Sequence, residues 1–184
     1  MEEVFKETFL AEDHQLLFDQ IMTEYGQDVL ELVYSYVKNK TDAEDLTQEI
    51  FVKCYQSLNS FDRRSTMKTW LWRIAINHCK DYLKSWHVRK VQAGYTDEWS
   101  GASTNDYVER EVIQKDERQR VMEATLGLPI QYRELIYLHY YEELTIKEIS
   151  EIINVNQNTI KTRLKRAKEL LQGALRRSET WKNS

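Results

Sequence analysis

Residues 144–171, LTIKEISEIINVNQNTIKTRLKRAKELL, decide the fold of this chain. They read as two helices joined by a very short turn, the second of them loaded with cations. That is the outline of a helix-turn-helix, whose second helix enters the DNA major groove. Thr145 and Glu148 form a Thr-x-x-Glu capping box that starts the first helix. Ile146, Ile149, Ile152 and Ile153 make its apolar stripe. Asn154 stands where the turn needs a left-handed residue, a conformation that Asn tolerates best after Gly. Asn156 is placed to cap the second helix.

In the second helix Ile160, Leu164, Ala167, Leu171 and Ala174 recur at steps of four and three and point inward. At about 100° per residue, Asn158, Thr162, Lys165 and Arg166 fall on the opposite side, flanked by Lys161, Arg163 and Lys168. Such a face bonds phosphates and base edges together. Glu169 lies on it too, so close DNA contact is expected to end before that residue. The competing reading is a solvated basic face on an ordinary helical hairpin. The turn, both caps and the stripe together favour DNA binding.

The rest of the chain agrees with an all-α architecture. It has 184 residues, enough for one ordinary domain or two small ones. One Pro and five Gly interrupt helix formation little, alternating β-branched runs are absent, and a 3.6-residue period recurs throughout. No apolar run approaches the roughly 18–20 residues that span a bilayer. The acidic start MEEVFKETFL lacks the basic region of a signal peptide. Cys54 and Cys79 fall in helical patterns without ligand spacing, which suggests structural thiols in a reducing cytoplasm. His78, on the apolar side of its helix, reads as a core histidine rather than a metal ligand, and no cofactor or metal site is expected.

A net charge of −4 looks wrong for a DNA binder, but the charges are segregated. Residues 1–49 carry thirteen acids and three bases, residues 63–90 eight bases against Asp81, and residues 161–177 seven against Glu169. The local field therefore matters more than the total.

Along the chain, residues 15–38 form an amphipathic pattern broken at Asn39 and Lys40. Thr41 and Glu44 suggest a second capping box, opening a helix to about Leu58. After the loop NSFDRRSTMKT a third helix is expected from about Thr69 to Trp86. This makes residues 1–86 an N-terminal helical domain. Residues 87–110 lose the periodicity and read as a linker. Helices resume near Val108, Pro129 suits the first turn of another that reaches about Tyr141, and residues 111–177 form the C-terminal helix-turn-helix domain. Residues 178–184 read as a tail.

Two constellations stand out in the first domain. On the helix 42–58, Ala43, Leu46, Thr47, Ile50 and Cys54 mark the inner face, and Asp45, Gln48, Glu49, Val52 and Gln56 the outer one. An apolar Val52 among acids and amides is a mixed surface of the kind protein partners use, though a single exposed valine is also common. On the next helix Leu71, Ile74, Ala75, His78 and Tyr82 face inward, while Arg73, Asn77, Lys80 and Lys84 line up outward. Trp70 lies beside that stripe, and Phe61, Arg63 and Arg64 precede it. Cations that track phosphates, an amide that reads a base and aromatics that stack suit single-stranded or opened nucleic acid. Alternatively, this is a basic surface helix with core tryptophans.

Together these residues resemble an extracytoplasmic-function (ECF) sigma factor, the small two-domain class of bacterial RNA polymerase sigma subunits. The resemblance rests on DAEDLTQEIFVKCYQSL, SFDRRSTMKTWLWRIAINHCKDYL and LPIQYRELIYLHYYEELTIKEISEIINVNQNTIKTRLKRAKELL, in that order and spacing. It implies that Asp45, Gln48, Glu49, Val52 and Gln56 dock on the clamp helices of the polymerase β′ subunit. It implies that Phe61, Arg63, Arg64, Trp70, Arg73, Asn77, Lys80 and Lys84 engage the −10 promoter element, help to melt it and capture a base. The linker would thread through the core polymerase, whose β′ and β subunits are the implied partners, toward the RNA exit path. Asn158, Thr159, Lys161, Thr162, Arg163, Lys165 and Arg166 would read the −35 element as duplex. Catalysis would belong to the polymerase core, and members of the family are commonly held inactive by an anti-sigma factor. Two departures are visible: Asn154 stands where the family often has Gly, and Phe61-Asp62-Arg63-Arg64 lacks the family's frequent Gly. The competing functions are a stand-alone helix-turn-helix regulator of duplex operators, a helical enzyme and a protein-only adaptor. Against the enzyme, no nucleophile elbow, phosphate loop or His-Glu-x-x-His is present.

Overall fold

The computed structural model describes residues 2–92 and 117–180, and all of its regular structure among them is helical. The first helix, α1, spans Glu2–Val37 and so begins well before the expected residue 15. Residues 2–14 are rich in helix formers, which lets the helix extend this far.

α1 stops at Lys38, which is left-handed at φ 55° and donates its N–H to Tyr34 O at 2.9 Å. This is an αL stop, here without the usual glycine. Asn39 is then extended, and its side chain accepts the Asp42 N–H at 3.0 Å, capping α2, Lys40–Ser57. The expected Thr41–Glu44 capping box is therefore corrected: Thr41 already lies inside the helix. The αL residue makes Asn39 the first extended position, and Asn ranks among the best N-caps.

A short 3-10 turn, Leu58–Ser60, leads into the loop. Thr66 closes that loop by accepting the Thr69 N–H on Oγ1 at 3.1 Å. The helix that follows, α3, covers Met67–Gln92, starting two residues before Thr69 and running six past Trp86. Residues 87–92, expected in the linker, are thus helical. The remainder of that segment, and the resumption of helix near Val108, lie outside the described residues.

The C-terminal half comprises α4 (Glu117–Leu126), α5 (Ile130–Ile136), a wide π turn (Tyr137–Tyr141), α6 (Ile146–Ile153) and α7 (Gln157–Thr180). Pro129 sits at the N-cap of α5, one residue before its first turn, where its missing N–H costs nothing. α7 packs on α4, α5 and α6, while α1, α2 and α3 pack on one another.

The two halves also meet. α6 lies against α3 and α5 against α1, so buried residues from Ile21 to Leu164 form one continuous apolar cluster. On α3 this buries Trp72, Ile76 and Cys79 as completely as Leu71 and Ala75. The buried face is wider than the sequence stripe because three helices cover α3.

Candidate nucleic-acid and protein interfaces

The helix-turn-helix forms as its local chemistry requires. Thr145 Oγ1 accepts the Glu148 N–H at 3.2 Å, and Glu148 Oε2 accepts the Thr145 N–H at 2.8 Å. The Thr145 hydroxyl also donates to Glu148 Oε2 at 2.6 Å, and this bond, followed by the one from the Thr145 N–H, holds the Glu148 carboxyl below its ordinary range. Asn154 is left-handed at φ 55° and ψ 48°. Asn156 Oδ1 accepts the Asn158 N–H at 2.8 Å. Ile149, Ile152, Ile160, Leu164 and Ala167 are buried, so α7 is fixed on α6 by its apolar stripe.

That anchoring leaves Asn158, Thr159, Lys161, Thr162, Lys165 and Arg166 exposed together on α7, with Arg163 half-buried beside them. Arg166 Nη1 pairs with Glu169 Oε2 at 2.9 Å. The acid that ends the basic face therefore also restrains its last arginine. Lys168 lies over the Tyr140 ring, 5.3 Å from its centroid.

The second surface is the outer side of α3 with the preceding loop. Arg73, Asn77 and Lys84 are exposed, and Trp70 and Phe61 pack with ring centroids 5.3 Å apart. Arg63 is left-handed at φ 59°, at the point in the loop where no glycine relieves the backbone. Arg64 is tied to Asp62 at 3.0 Å, which lowers the free cationic charge of the loop. Lys80 departs from its expected outward place: its ammonium reaches Glu134 of α5 at 2.9 Å and is half-buried. Nothing within the helix 69–86 encodes a partner 54 residues away.

His78 is also corrected. It is not an apolar core histidine but a polar bridge from α3 to α2. Its Nε2 lies 2.7 Å from Glu49 Oε2, and Lys53 Nζ donates to Nδ1 at 2.8 Å. Cys54 and Cys79 are buried, and burial pushes their thiols up to about 11 and about 12. Both stay protonated, which suits packing rather than chemistry.

The third surface was only half visible in the sequence. Asp45, Gln48, Glu49, Val52 and Gln56 are exposed on α2 as expected. Beside them α1 and α2 enclose a groove of about 570 Å³, to whose walls α1 adds Phe18, Met22 and Leu30. Val52 is 55% exposed at its rim, with Tyr55 and Met22 also exposed. Such an apolar groove with an amide and acid rim fits a partner helix.

These surfaces define a class of protein: a two-part helical factor with a duplex-reading motif and a separate basic-aromatic helix. The Sigma-70 region 2 family matches residues 21–87, and Sigma-70 region 4 matches residues 118–171. RNA polymerase sigma factor SigV of Bacillus subtilis is 34% identical over 82% of this chain and 86% of its own length. ECF RNA polymerase sigma factor SigW of Bacillus subtilis is 32% identical over 86% of this chain and 89% of its own. Among solved structures, the fold resembles sigma factor RpoE of Bartonella quintana in complex with the anti-sigma factor NepR. That likeness has a TM-score of 0.66 at 23% identity and covers 86% of this chain and 96% of RpoE. CnrH in complex with the cytosolic domain of CnrY gives 0.64 at 21% identity, over 91% of this chain and 95% of CnrH.

The chain belongs to the ECF sigma factors. It binds core RNA polymerase and promoter DNA, and directs initiation by recognising −10 and −35 elements. A stand-alone operator-binding regulator is not favoured. Sigma factors are non-enzymatic regulatory subunits. Among the described residues no helix is long and apolar enough to cross a membrane, and no cluster of three or more His, Cys, Asp or Glu is placed to hold a metal ion.

Proposed function

We propose that the three surfaces divide the work of a sigma factor among named residues. The exposed face of α7, Asn158, Thr159, Lys161, Thr162, Arg163, Lys165 and Arg166, grips the −35 duplex. Its cations meet phosphates, and its amide and hydroxyls meet base edges. The loop with Phe61, Arg63 and Arg64 and the helix with Trp70, Arg73, Asn77, Lys80 and Lys84 hold the opened −10 strand. There Asn77 supplies an amide for a flipped base and Trp70 a stacking plane. The α1–α2 groove, with Asp45, Gln48, Glu49, Val52 and Gln56 at its side, takes the clamp helices of β′.

The observation that carries this reading is that most residues of the three surfaces are exposed on one chain, with Phe61, Trp70, Lys80 and Arg163 partly covered, while the residues behind them are buried. The division that follows is an N-terminal domain ending with α3 at Gln92, a linker to about residue 110 that threads through the polymerase, and a C-terminal domain ending with α7 at Thr180. The chain works in the cytoplasm and catalyses nothing itself. Its solved relatives in complex with NepR and CnrY support an anti-sigma partner here as well.

A photo-crosslinker placed in turn at Gln48, Asn77 and Thr162 of the polymerase-bound chain tests the assignments. The expected products are β′, the non-template −10 strand and the −35 duplex, respectively. Attachment of the Thr162 probe to polymerase alone, with the promoter present, would overturn the α7 assignment.

A further inference from the structure

Glu49 and Lys53 stand one turn apart on α2, both exposed, beside the other residues assigned to core polymerase. At that spacing a carboxylate and an ammonium pair directly on a helix surface. Here a ring from another helix bonds both. His78 of α3 places Nε2 2.7 Å from Glu49 Oε2 and Nδ1 2.8 Å from Lys53 Nζ. Both ring nitrogens are engaged, and both bonds cross from α3 to α2.

The groups differ in exposure. The His78 side chain is 12% exposed and that of Glu49 61%. Ile74 and Tyr82, one turn to either side of His78, pack against the core. A ring fixed by its surroundings therefore holds a carboxylate that faces solvent. A carboxylate has two oxygens and about four acceptor positions, so His78 on Oε2 leaves others for a partner's cation. The bond to Nδ1 occupies the Lys53 ammonium, which would otherwise be free to reach Glu49 itself.

A glutamate with no such tether spreads over several rotamers. Fixing a long side chain at an interface weakens binding by roughly twofold to tenfold, and a side chain already fixed escapes that loss.

We propose that His78 is a positioning residue for polymerase docking: from α3 it fixes the Glu49 carboxylate in the orientation that accepts a cationic side chain of the core enzyme. The proposal rests on the reading of α2 as the docking face. The partner group is an arginine or lysine beside whatever apolar residue meets Val52, three positions further along α2. The helix α3 then serves both surfaces. Asn77 stays exposed on the side assigned to DNA, and the next residue, His78, turns to α2.

The test is the affinity of full-length variants for core polymerase, by competition followed as fluorescence anisotropy. His78→Phe keeps a ring of similar size between the helices and removes both hydrogen bonds. It should bind core about fivefold more weakly, within the range for one side chain set loose. His78→Gln keeps an amide that reaches Glu49 and should bind within about twofold of wild type. A role confined to packing predicts the reverse order, with Phe tolerated and Gln impaired, and that result overturns the proposal. Glu49→Gln should itself weaken binding, and adding His78→Phe to it should cost nothing more, because His78 acts through Glu49. Equal losses from His78→Phe with and without Glu49→Gln overturn it too. Should His78→Phe fail to fold by circular dichroism, His78→Asn takes its place; its shorter amide reaches only the Nδ1 position, and it should show the same loss. If Glu49→Gln leaves the affinity unchanged, the positioning role falls. The Gln48 crosslink to β′ then shows separately whether α2 docks at all.

Discussion

Val52→Asp separates docking from folding. Val52 is 55% exposed, so the fold uses only part of its apolar surface. Full burial of a valine is worth about 1.5–3 kcal/mol, which leaves about 1 kcal/mol to be gained when the groove is covered. Aspartate forfeits that gain. It also places a carboxylate in an interface that excludes water, at a further cost of at least about 1 kcal/mol. The sum, about 2 kcal/mol or more, corresponds to roughly thirtyfold weaker binding to core polymerase. Because the site faces solvent in the free protein, thermal stability should change by less than about 0.5 kcal/mol. Competition for core polymerase, measured by fluorescence anisotropy beside a melting curve, gives both numbers. Binding within about threefold of wild type, with the melting curve unchanged, would refute the assignment of the α1–α2 groove.

The other predictions concern DNA, the core and the cap. Lys165→Ala should weaken −35 duplex binding and reduce the slope of log K against log salt by about 0.9 if its ammonium meets one phosphate, as read by titration at several salt concentrations. Asn77→Ala should impair promoter opening, followed by permanganate reactivity, while −35 binding by gel shift is unchanged. Trp72→Ala removes a fully buried ring and should cost about 3–5 kcal/mol in urea unfolding. Thr145→Ala should cost about 1 kcal/mol at neutral pH. Because the Glu148 carboxyl is held low mainly by Thr145, the capping box contributes above the ordinary carboxylate range and fails as pH falls through the lowered value. The stability gap between Thr145→Ala and wild type should therefore narrow on acidification, measured by urea midpoints at neutral and acid pH.

What the sequence revealed follows the range of the interactions involved. The helix-turn-helix was legible because its determinants are local. Thr145 meets Glu148 three residues on, and Asn154 and Asn156 act on their own turn. The outer faces of α2 and α7 were legible for the same reason, since periodicity alone assigns them. The caps were less secure: Asn39 and Thr41 are both good N-caps two residues apart, and the left-handed Lys38 chose between them. The groove beside Val52 escaped because part of its wall, Phe18, Met22, Gly26 and Leu30, comes from α1. Lys80 was misplaced because its partner is 54 residues distant, in the other half of the molecule. His78 shares its helix face with Leu71, Ile74, Ala75 and Tyr82, yet Glu49 and Lys53 of α2 reach its ring across the helix pair. Long-range pairing leaves no local trace in one sequence.

Run-off transcription with core RNA polymerase from the encoding organism, over a library of its genomic fragments, tests the central claim most directly. The chain plus core should yield transcripts with defined starts downstream of one shared pair of −35 and −10 sequences, and core alone should not. Tight binding to core polymerase without transcript from any fragment would contradict it.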